Sequence, residues 1–509
     1  GKQVIAAATG AKLVERLTHP TQQDMMFLAE FFITYRSFMT PEHLLALLRR
    51  RWTSLEDEND ATPIEAKRIT RIRVVNALRQ WVQSHFYDFD ESLLSRLMWF
   101  MSTSMSSHDD LSDLLRKVIV KKVREESLKN ANSMDTSNSS TGTPQNRPSS
   151  ASTVDRSNRL SATAYHQLVA SSAGSVRDAR PPPSTSVAIA GVDRPGSSAS
   201  AVSGSTPAAG HTAPLPASAA DAGAPLAFLQ IFSFTSINME GEEGEPALME
   251  ATESKSESVP RPPRRLEQRR SLETFDATLV AKHLTLVEFE LFRRIESREF
   301  VDKNWMKANK HEVAPNALRF SERFNQVSMW VATAILQRRN FNDRRNLMRK
   351  FIEIGVRCKE LNNVNAVFAI VGGLGFASVH RLKRTRAALP SSAKAQLEEL
   401  QRISSTKDNF RAYREWLQTT NPPCIPYLGV FHTHLCFIED GNPDITSTGL
   451  INFEKRRMLA HIIHRMHMYQ QKPYEETMIP EIREALQDLP QASEDRLWAL
   501  SLECEPRET

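Results

Sequence analysis

The sequence predicts an all-α protein made of two helical domains that a long polar linker separates. Apolar residues recur at three- and four-residue spacing on both sides of the linker, and neither side shows the alternating pattern of β-strands. The composition changes abruptly at two places. These changes divide the chain into a small N-terminal domain at 1–130, a linker at 131–270 and a larger domain at 271–509. Both helical stretches are long enough to bury a core of their own.

The first 130 residues show four helical segments. The first segment carries an expected buried stripe of Met25, Leu28, Phe31, Phe32 and Tyr35. In the second, Thr40 is a suitable N-cap, Pro41 suits the first helical position, and Glu42 favours the positive end of the helix dipole. The third and fourth segments are ITRIRVVNALRQWVQSHF and SLLSRLMWFM.

The linker is rich in Ser, Thr, Ala, Pro and Gly and has hardly any aromatic residues. Such a composition cannot bury enough apolar surface to offset the cost of ordering the backbone, about 1–2 kcal/mol per residue. We therefore interpret 131–270 as disordered. The short apolar run LAFLQIFSF within it is either a collapsed part of the linker or a docking peptide, and the first interpretation is preferred.

The larger domain repeats the helical pattern on a greater scale. Its candidate helices are TLVEFELFRRI, RFSERFNQVSMWVATAIL, RRNLMRKFIEIGVRCKEL, NNVNAVFAIVGGLG, AKAQLEELQRI and NFEKRRMLAHIIHRMHMYQ. The last of these carries Lys455, Arg456 and Arg457 in its first turns, where cations oppose the helix dipole. Two interpretations stay open: a charged partner relieves this arrangement, or the cations are solvated at the surface.

The balance of charge argues against a nucleic-acid partner. The chain has 65 basic and 60 acidic residues, and a formal charge of +5 is small for 509 residues. The basic clusters LLRRRW and RLKRTR are short and lack interleaved aromatic residues. The four cysteines show no CxxC spacing, and no run of about 18 apolar residues occurs. We expect a soluble protein of a reducing, cytoplasmic compartment.

Motifs for covalent chemistry are missing from the sequence. It contains neither a GxxxxGK[ST] phosphate loop nor a G-x-S-x-G nucleophile elbow. The glycine cluster at 372–375 follows a helical run, and we interpret it as a site of helix packing or a backbone turn. His461, His464 and His467 step by three along one helix, so they fan around it and do not converge on a metal ion. Neither a cofactor nor a metal ion is expected.

The stretch NPPCIPYLGVFHTHLCFIEDGNPD, at 421–444, joins an apolar run to an acidic pair and a Gly-Asn-Pro stop. This pattern predicts a rigid apolar stem that carries a carboxylate at its tip. Cys436 and Asp440 lie four residues apart, so their side chains share one helical face. We expect this face to point outward.

These residues resemble a known family. The stretch at 421–444, followed by GLINFEKRRMLAHIIHRMHMYQQKPY, resembles the catalytic core of the Ras-type guanine nucleotide exchange factors, the Son-of-sevenless and Ras-GRF group. Further similar stretches are LTLVEFELFRRI, SERFNQVSMWVATAIL, LNNVNAVFAIVGGL with VHRLKRT, and SLECEPR. The start of the chain is similar to the Ras exchanger motif domain of the same proteins. The resemblance covers 1–130 and 271–509.

The resemblance implies that the protein releases GDP from a Ras-family small GTPase so that GTP can bind. A protruding helical hairpin, with its first arm at 427–442 and its second from Asn452, would open the nucleotide site. The resemblance places Cys436 and Asp440 at the intruding positions, with Asn442 just beyond them, and all three are the candidate catalytic residues. A carboxylate there repels the phosphate of the nucleotide and pairs with the phosphate-binding lysine of the empty GTPase. No covalent step by the exchanger is implied.

The same resemblance implies a wider contact surface on the GTPase. The matching positions are Arg323, Asn325, Phe368, His380, Arg381, Asp408, Phe410, Tyr427 and Met458. For Phe368 and Tyr427 the alternative is plain core, and for Arg381 and Asp408 it is an internal ion pair. Trp81 matches a position near a second GTPase site of the group, and Ser271 is a loose phosphorylation motif.

The expected partner is Ras first and Rap second, while Ral exchangers share the framework. A non-catalytic GTPase-binding adaptor is the alternative from another class. Contact with a membrane is expected only indirectly, through recruitment to the inner face of the plasma membrane by a lipidated GTPase or by regions outside this chain.

Overall fold

A computed structural model describes residues 4–57, 61–137 and 272–506. The chain divides into two compact units, one within 8–222 and a larger one that combines 1–7 with 223–509. The predicted all-α class is confirmed, since the strands among the described residues are the two-residue elements β1 (Ala7–Ala8) and β2 (Ile451–Asn452). Beyond residue 137 the predicted linker, including its apolar run, lies outside the described residues, as does Ser271.

The described part of the smaller unit, residues 8–57 and 61–137, contains six α-helices. They are α1 (Gly10–Leu17), α2 (Met25–Thr34), α3 (Pro41–Thr53), α4 (Ile64–Ser84), α5 (Glu91–Thr103) and α6 (Asp109–Ser137). The predicted start of α3 is confirmed: the Thr40 side chain accepts a hydrogen bond from the His43 backbone N–H, and Pro41 is the first helical residue. One position of the predicted α2 stripe is wrong, because Met25 begins the helix and is exposed while Phe27 is buried.

A buried carboxylate organises the aromatic core of the smaller unit. Asp88 accepts hydrogen bonds from the Tyr35 hydroxyl, the Arg36 guanidinium and, at 2.7 Å, the indole Nε1 of Trp81. Trp81 has no exposed surface and packs against Tyr35 and Phe89. In this structure Trp81 is therefore a core residue with its polar atom satisfied.

The larger unit contains thirteen helices among its described residues. They are α7 (Ala277–Phe292), α8 (Lys310–Val313), α9 (Pro315–Leu336), α10 (Phe341–Glu360), α11 (Val364–Gly375), α12 (Ala377–His380), α13 (Lys383–Ala387), α14 (Ser391–Ser404), α15 (Lys407–Thr419), α16 (Leu428–Gly441), α17 (Phe453–Gln470), α18 (Pro480–Gln487) and α19 (Glu494–Cys504). Short 3₁₀ turns occur at Leu272–Thr274, Ser297–Glu299 and Val301–Met306. The apolar core lies between α7, α9, α10 and α11.

Helices α9 and α11 pack closely at a glycine. A Cβ atom at Gly373 would lie 2.7 Å from the Cβ of Val331 and would collide with the backbone oxygen of Ser328. At Gly372 the nearest atom to such a Cβ would be the Ser328 Oγ, at an ordinary 3.5 Å. Helix packing is thus the role of the second glycine of the cluster, as one of the two sequence-based interpretations predicts.

The segment before α16 is fixed to the start of α11. The Ile425 carbonyl oxygen accepts hydrogen bonds from the backbone N–H groups of Val364 and Asn365 at 3.1 and 3.2 Å. The Ile425 N–H donates to the Asn362 oxygen at 2.9 Å. These bonds satisfy N–H groups at the N-terminus of α11 that have no partner within the helix, and they anchor the base of α16 to the core.

The first residues of the chain cap α17. The Ala6 carbonyl oxygen accepts hydrogen bonds from the backbone N–H groups of Phe453 and Glu454 at 2.9 and 3.0 Å. The Arg457 guanidinium donates to the Ile5 carbonyl oxygen at 2.8 Å. Residues 5 and 6 therefore serve the larger unit, although the smaller unit follows them directly in the chain.

Candidate functional site

Helices α16 and α17 pack against each other and form a helical hairpin. Their bounds agree with the two arms predicted from the sequence. The connecting loop is fixed by two asparagines: the Asn442 side chain donates to the Ile438 oxygen at 3.0 Å, and the Asn452 side chain donates to the Pro443 oxygen at 2.9 Å. Asn452 also caps α17 by accepting a hydrogen bond from the Lys455 N–H.

Ion pairs join the last turn of α16 and the connecting loop to the first turn of α17, and the pair of Glu439 with Lys455 is buried on both sides, whereas the Asp444 side chain in the loop is 59% exposed. Lys455 is 2% exposed, and its Nζ lies 2.8 Å from Glu439 Oε2 and 2.8 Å from Asp444 Oδ1. Arg456 is 1% exposed and pairs with Asp444, also at 2.8 Å. Of the two interpretations left open by the sequence, the charged partner is therefore correct for both residues. We call Glu439, Asp444, Lys455 and Arg456 the hairpin brace.

Of the two residues predicted on the outward face, only Asp440 is accessible. Its side chain is 65% exposed and forms an ion pair with Lys303. Cys436 is buried, with its Sγ 3.8 Å from the Sδ of Met306, so the outward orientation predicted for both residues is wrong for Cys436. Burial raises the pKa of the Cys436 thiol to about 11. The thiol therefore stays protonated at neutral pH and is a poor nucleophile.

One turn nearer the base of α16, His432 stacks on Trp305. The ring centroids lie 4.6 Å apart with an interplanar angle of 12°, and Phe300 contacts the imidazole at 5.6 Å. His432 is fully buried, and this burial lowers its pKa from 6.5 to about 3. The imidazole is neutral at physiological pH.

This burial predicts an acid-sensitive hairpin base. Because the folded-state pKa of His432 lies below its unfolded value, the larger unit loses stability as the pH falls below 6.5. Because His432 takes up a proton in the unfolded chain and not in the folded one, we expect it to lower the free energy of unfolding by about 2 kcal/mol when the pH falls from 7.5 to 5. His432→Phe, which keeps the ring stack, should lose correspondingly less over that range in denaturant titrations, while the exposed control His461→Phe should follow the parent protein. Equal pH dependence of His432→Phe and the parent would contradict the assignment.

An aromatic cluster lies where α16 begins. Phe368 and Tyr427 stack with ring centroids 4.1 Å apart, and Phe410 lies 6.1 Å from each of them. Phe368 is buried, whereas Phe410 and Tyr427 are half-buried. Burial raises the pKa of Tyr427 to about 12, so its hydroxyl is protonated. The structure thus brings together three of the residues predicted to contact a partner.

The chain next to this cluster adopts an uncommon conformation. Asp408, Asn409 and Phe410 have φ values of 51°, 55° and 57°. Left-handed backbone is unfavourable for residues other than glycine, and such strain concentrates at functional sites. Asp408 is exposed at the start of α15, and its carbonyl oxygen accepts a hydrogen bond from Arg414.

The other predicted contact residues are distributed over separate helices. Arg323 is buried, and its guanidinium donates to the Leu486 oxygen at 2.7 Å. Arg381 donates to the backbone oxygen of Ser501 at 2.8 Å, so its partner is α19 and not an acidic side chain. The remaining positions are exposed (His380) or half-buried (Asn325 and Met458).

Sequence reasoning missed the segment that lies against α16. Lys303 and Met306 contact residues 137 and 130 positions further along the chain. No spacing rule links residues so far apart, so no sequence signal identifies these contacts.

In the ranges 4–57, 61–137 and 272–506, no group of three or more His, Cys, Asp or Glu side chains is arranged to hold a metal ion. No helix in the same ranges is long and apolar enough to cross a lipid bilayer.

The fold and the hairpin define a class, and comparison with known families agrees. Residues 279–457 match the RasGEF domain, and residues 4–100 match the RasGEF N-terminal motif. The first match contains Lys303 and Met306, the aromatic cluster and the whole of α16. The chain belongs to the RasGEF family, with the N-terminal motif followed by the RasGEF domain. The resemblance noted from the sequence is confirmed.

Individual relatives carry corresponding names. Ras guanine nucleotide exchange factor A of Dictyostelium discoideum is 29% identical over 491 residues, which cover 95% of this chain and 61% of that protein. Ras-specific guanine nucleotide-releasing factor 2 of Danio rerio is 38% identical over 236 residues, or 46% of this chain and 19% of that protein. Ras guanine nucleotide exchange factor I of Dictyostelium discoideum is 39% identical over 233 residues, which cover 46% of this chain and 28% of that protein. The chain thus matches between about a fifth and about three fifths of the length of each of these relatives.

Proposed function

We propose that this protein is a guanine nucleotide exchange factor that binds a Ras-family small GTPase and accelerates the release of GDP, so that GTP can bind. The observation that carries the proposal is the match of 279–457 to the RasGEF domain, within which a braced hairpin holds an exposed carboxylate. The exposed group is Asp440 in the last turn of α16. The brace behind it supplies the rigidity that a lever needs.

The proposed mechanism is electrostatic and needs no covalent step. Asp440, brought near the phosphates, raises the free energy of bound GDP by charge repulsion. In the empty GTPase the same carboxylate pairs with the phosphate-binding lysine. Because binding linkage is reciprocal, an exchanger that prefers the empty GTPase lowers nucleotide affinity by the same factor. Asn442 supports this tip by closing the turn after α16.

The proposed contact surface starts at the aromatic cluster and extends over neighbouring helices. Phe410 and Tyr427 offer half-buried rings supported by Phe368, the arrangement expected of an apolar anchor in an interface. The other proposed contacts are Asn325, His380, Arg381, Asp408 and Met458. Arg323 and Cys436 are buried, so we propose that they act by holding α9 and α16 in place rather than by direct contact.

Ras is the preferred substrate and Rap the second. The preference rests on the likeness to the Ras-GRF group and on relatives whose names specify Ras. We further propose a cytoplasmic protein that meets the plasma membrane through its lipidated GTPase. The competing function is an adaptor that binds the GTPase and leaves nucleotide affinity unchanged.

Release of a fluorescent GDP analogue from purified Ras, Rap and Ral tests the proposal. We expect the fastest release from Ras. Asp440→Ala should slow the catalysed release by about 10- to 100-fold, since one charge-assisted contact is worth about 1.5–3 kcal/mol. Binding to the nucleotide-free GTPase should weaken by a smaller factor.

The control is Glu454→Ala, which removes an exposed carboxylate from the first turn of α17. It should retain the parent activity. Binding without accelerated release from any of the three GTPases would favour the adaptor. Equal losses of binding and release in Asp440→Ala would argue against a role for Asp440 in ejecting the nucleotide. Cys436→Arg is a less clean test, because the new side chain would disrupt the packing against Met306.

A further inference from the structure

A segment of the same unit covers the face of α16 that carries Asp440. The helix residues in contact, at 432, 436, 439 and 440, have the spacing of a single helical face. The contacts from the segment are Trp305 on His432, Met306 on Cys436, the Asp302 backbone N–H on the Glu439 carboxylate at 3.2 Å, and Lys303 on Asp440. We call residues 302–306 the tip clamp.

The tip clamp is held by these contacts against its own backbone preference. Asp302 and Lys303 have φ values of 53° and 51°, with ψ values of 30° and 40°. Two consecutive left-handed residues other than glycine are unfavourable, and they persist only where surrounding structure fixes them. The conformation places the Lys303 ammonium beside the Asp440 carboxylate.

The two acidic residues at the end of α16, Glu439 and Asp440, differ in how firmly their ion pairs are held. Glu439 is held by Lys455 of the brace, so it is not available to an incoming partner without breaking a buried ion pair. Asp440 and Lys303 are 65% and 34% exposed, and solvent-exposed pairs exchange partners at small cost. The hydrogen bond to Asp440 raises the pKa of Lys303, so the ammonium stays charged at neutral pH.

We propose that Lys303 is a positioning residue that occupies, in the free exchanger, the place of the GTPase's phosphate-binding lysine against Asp440. The inference rests on the proposed function. Lys303 holds the carboxylate in position and neutralises it until a GTPase docks. The pair then breaks, and Asp440 transfers from one lysine to the other. Breaking the pair opposes docking, so Lys303 lowers the rate of exchange.

Removal of the ammonium should therefore increase activity. In the full chain, we expect Lys303→Met to raise kcat/KM for GDP release from Ras by about two- to fivefold at low ionic strength, the range expected for an exposed ion pair. The gain should fall toward nothing in high salt, because salt screens the pair in the parent protein. Lys303→Arg keeps the charge and the same backbone requirement, and it should behave as the parent.

A double substitution separates this role from a merely structural one. In the Asp440→Asn background, Lys303→Met should change kcat/KM by less than a factor of 1.5, since the carboxylate it restrains is gone. Slower or unchanged GDP release with Lys303→Met would overturn the proposal. The same increase in kcat/KM in the Asp440→Asn background would also overturn it.

Amide hydrogen exchange of the peptide 300–307 provides a readout that needs no GTPase. Asp440→Asn and Lys303→Met should each increase its exchange rate, and the double variant should exchange no faster than the single ones. If the parent protein accelerates release from none of the three GTPases, the proposed function fails while this coupling stays measurable. If the parent is active and the peptide shows no coupling, the Lys303 inference alone fails.

Discussion

Replacing Gly373 with alanine is expected to destabilise the larger unit by about 3 kcal/mol. The new Cβ would meet the backbone oxygen of Ser328 and the Val331 side chain across the contact of α9 with α11. Backbone cannot rotate away as a flexible side chain can, so the helices must separate. Overpacking of this kind costs about 1–3 kcal/mol and occasionally more, and it exceeds the gain of about 1 kcal/mol in helix propensity.

Gly372→Ala is the matched control, one residue away on the same helix. Its Cβ would make an ordinary contact, so this variant should be as stable as the parent or slightly more stable. Denaturant titration checks both variants, with hydrogen exchange of α11 peptides to assign the transition to the larger unit. Similar midpoints for the two variants would show that α9 and α11 do not pack as described.

Replacing Lys455 with methionine should cost about 3–5 kcal/mol, because it leaves the nearly buried Glu439 carboxylate without its ammonium partner. Arg456 still pairs with Asp444, so half of the hairpin brace remains. We expect the ends of α16 and α17 to open locally before the unit unfolds. The expected readouts are faster hydrogen exchange in 437–456 and a loss of nucleotide exchange activity of at least tenfold.

The same substitution at Lys303 is the control, since its partner Asp440 is exposed and the pair contributes at most about 1 kcal/mol. A double variant, Lys455→Met with Glu439→Gln, should recover part of the stability lost in the single variant, because no buried charge is left unpaired. If Lys455→Met proved no more destabilising than Lys303→Met, the brace would not be the source of hairpin rigidity.

Local chemistry made much of this fold predictable. Thr40, Pro41 and the three- and four-residue apolar spacing act within one helix, where the partners of each residue are a few positions away. The hairpin arms were predictable for the same reason, together with the family resemblance. Met25 departs from the predicted stripe because a first-turn residue has no preceding turn to pack against, and this freedom is not visible in the spacing.

The parts that could not be predicted depend on partners that are distant in sequence. Lys455 and Arg456 stand at the unfavourable end of a helix dipole, which raises the question of a partner without identifying it. The burial of Arg323 and Cys436 likewise follows from how separate helices pack, and a positional match to relatives does not carry that information. The contact of Lys303 with Asp440, 137 positions further along the chain, is another such case.

The capping of α17 by the first residues of the chain affects how truncations must be designed. A deletion of residues 1–130, intended to isolate the RasGEF domain, would also remove the Ala6 oxygen and leave two helix-terminal N–H groups of the hairpin without their acceptor. Reduced activity of such a protein would not reveal what the N-terminal motif does. A shortened protein that joins residues 1–8 to the RasGEF domain through a flexible spacer keeps the two roles apart.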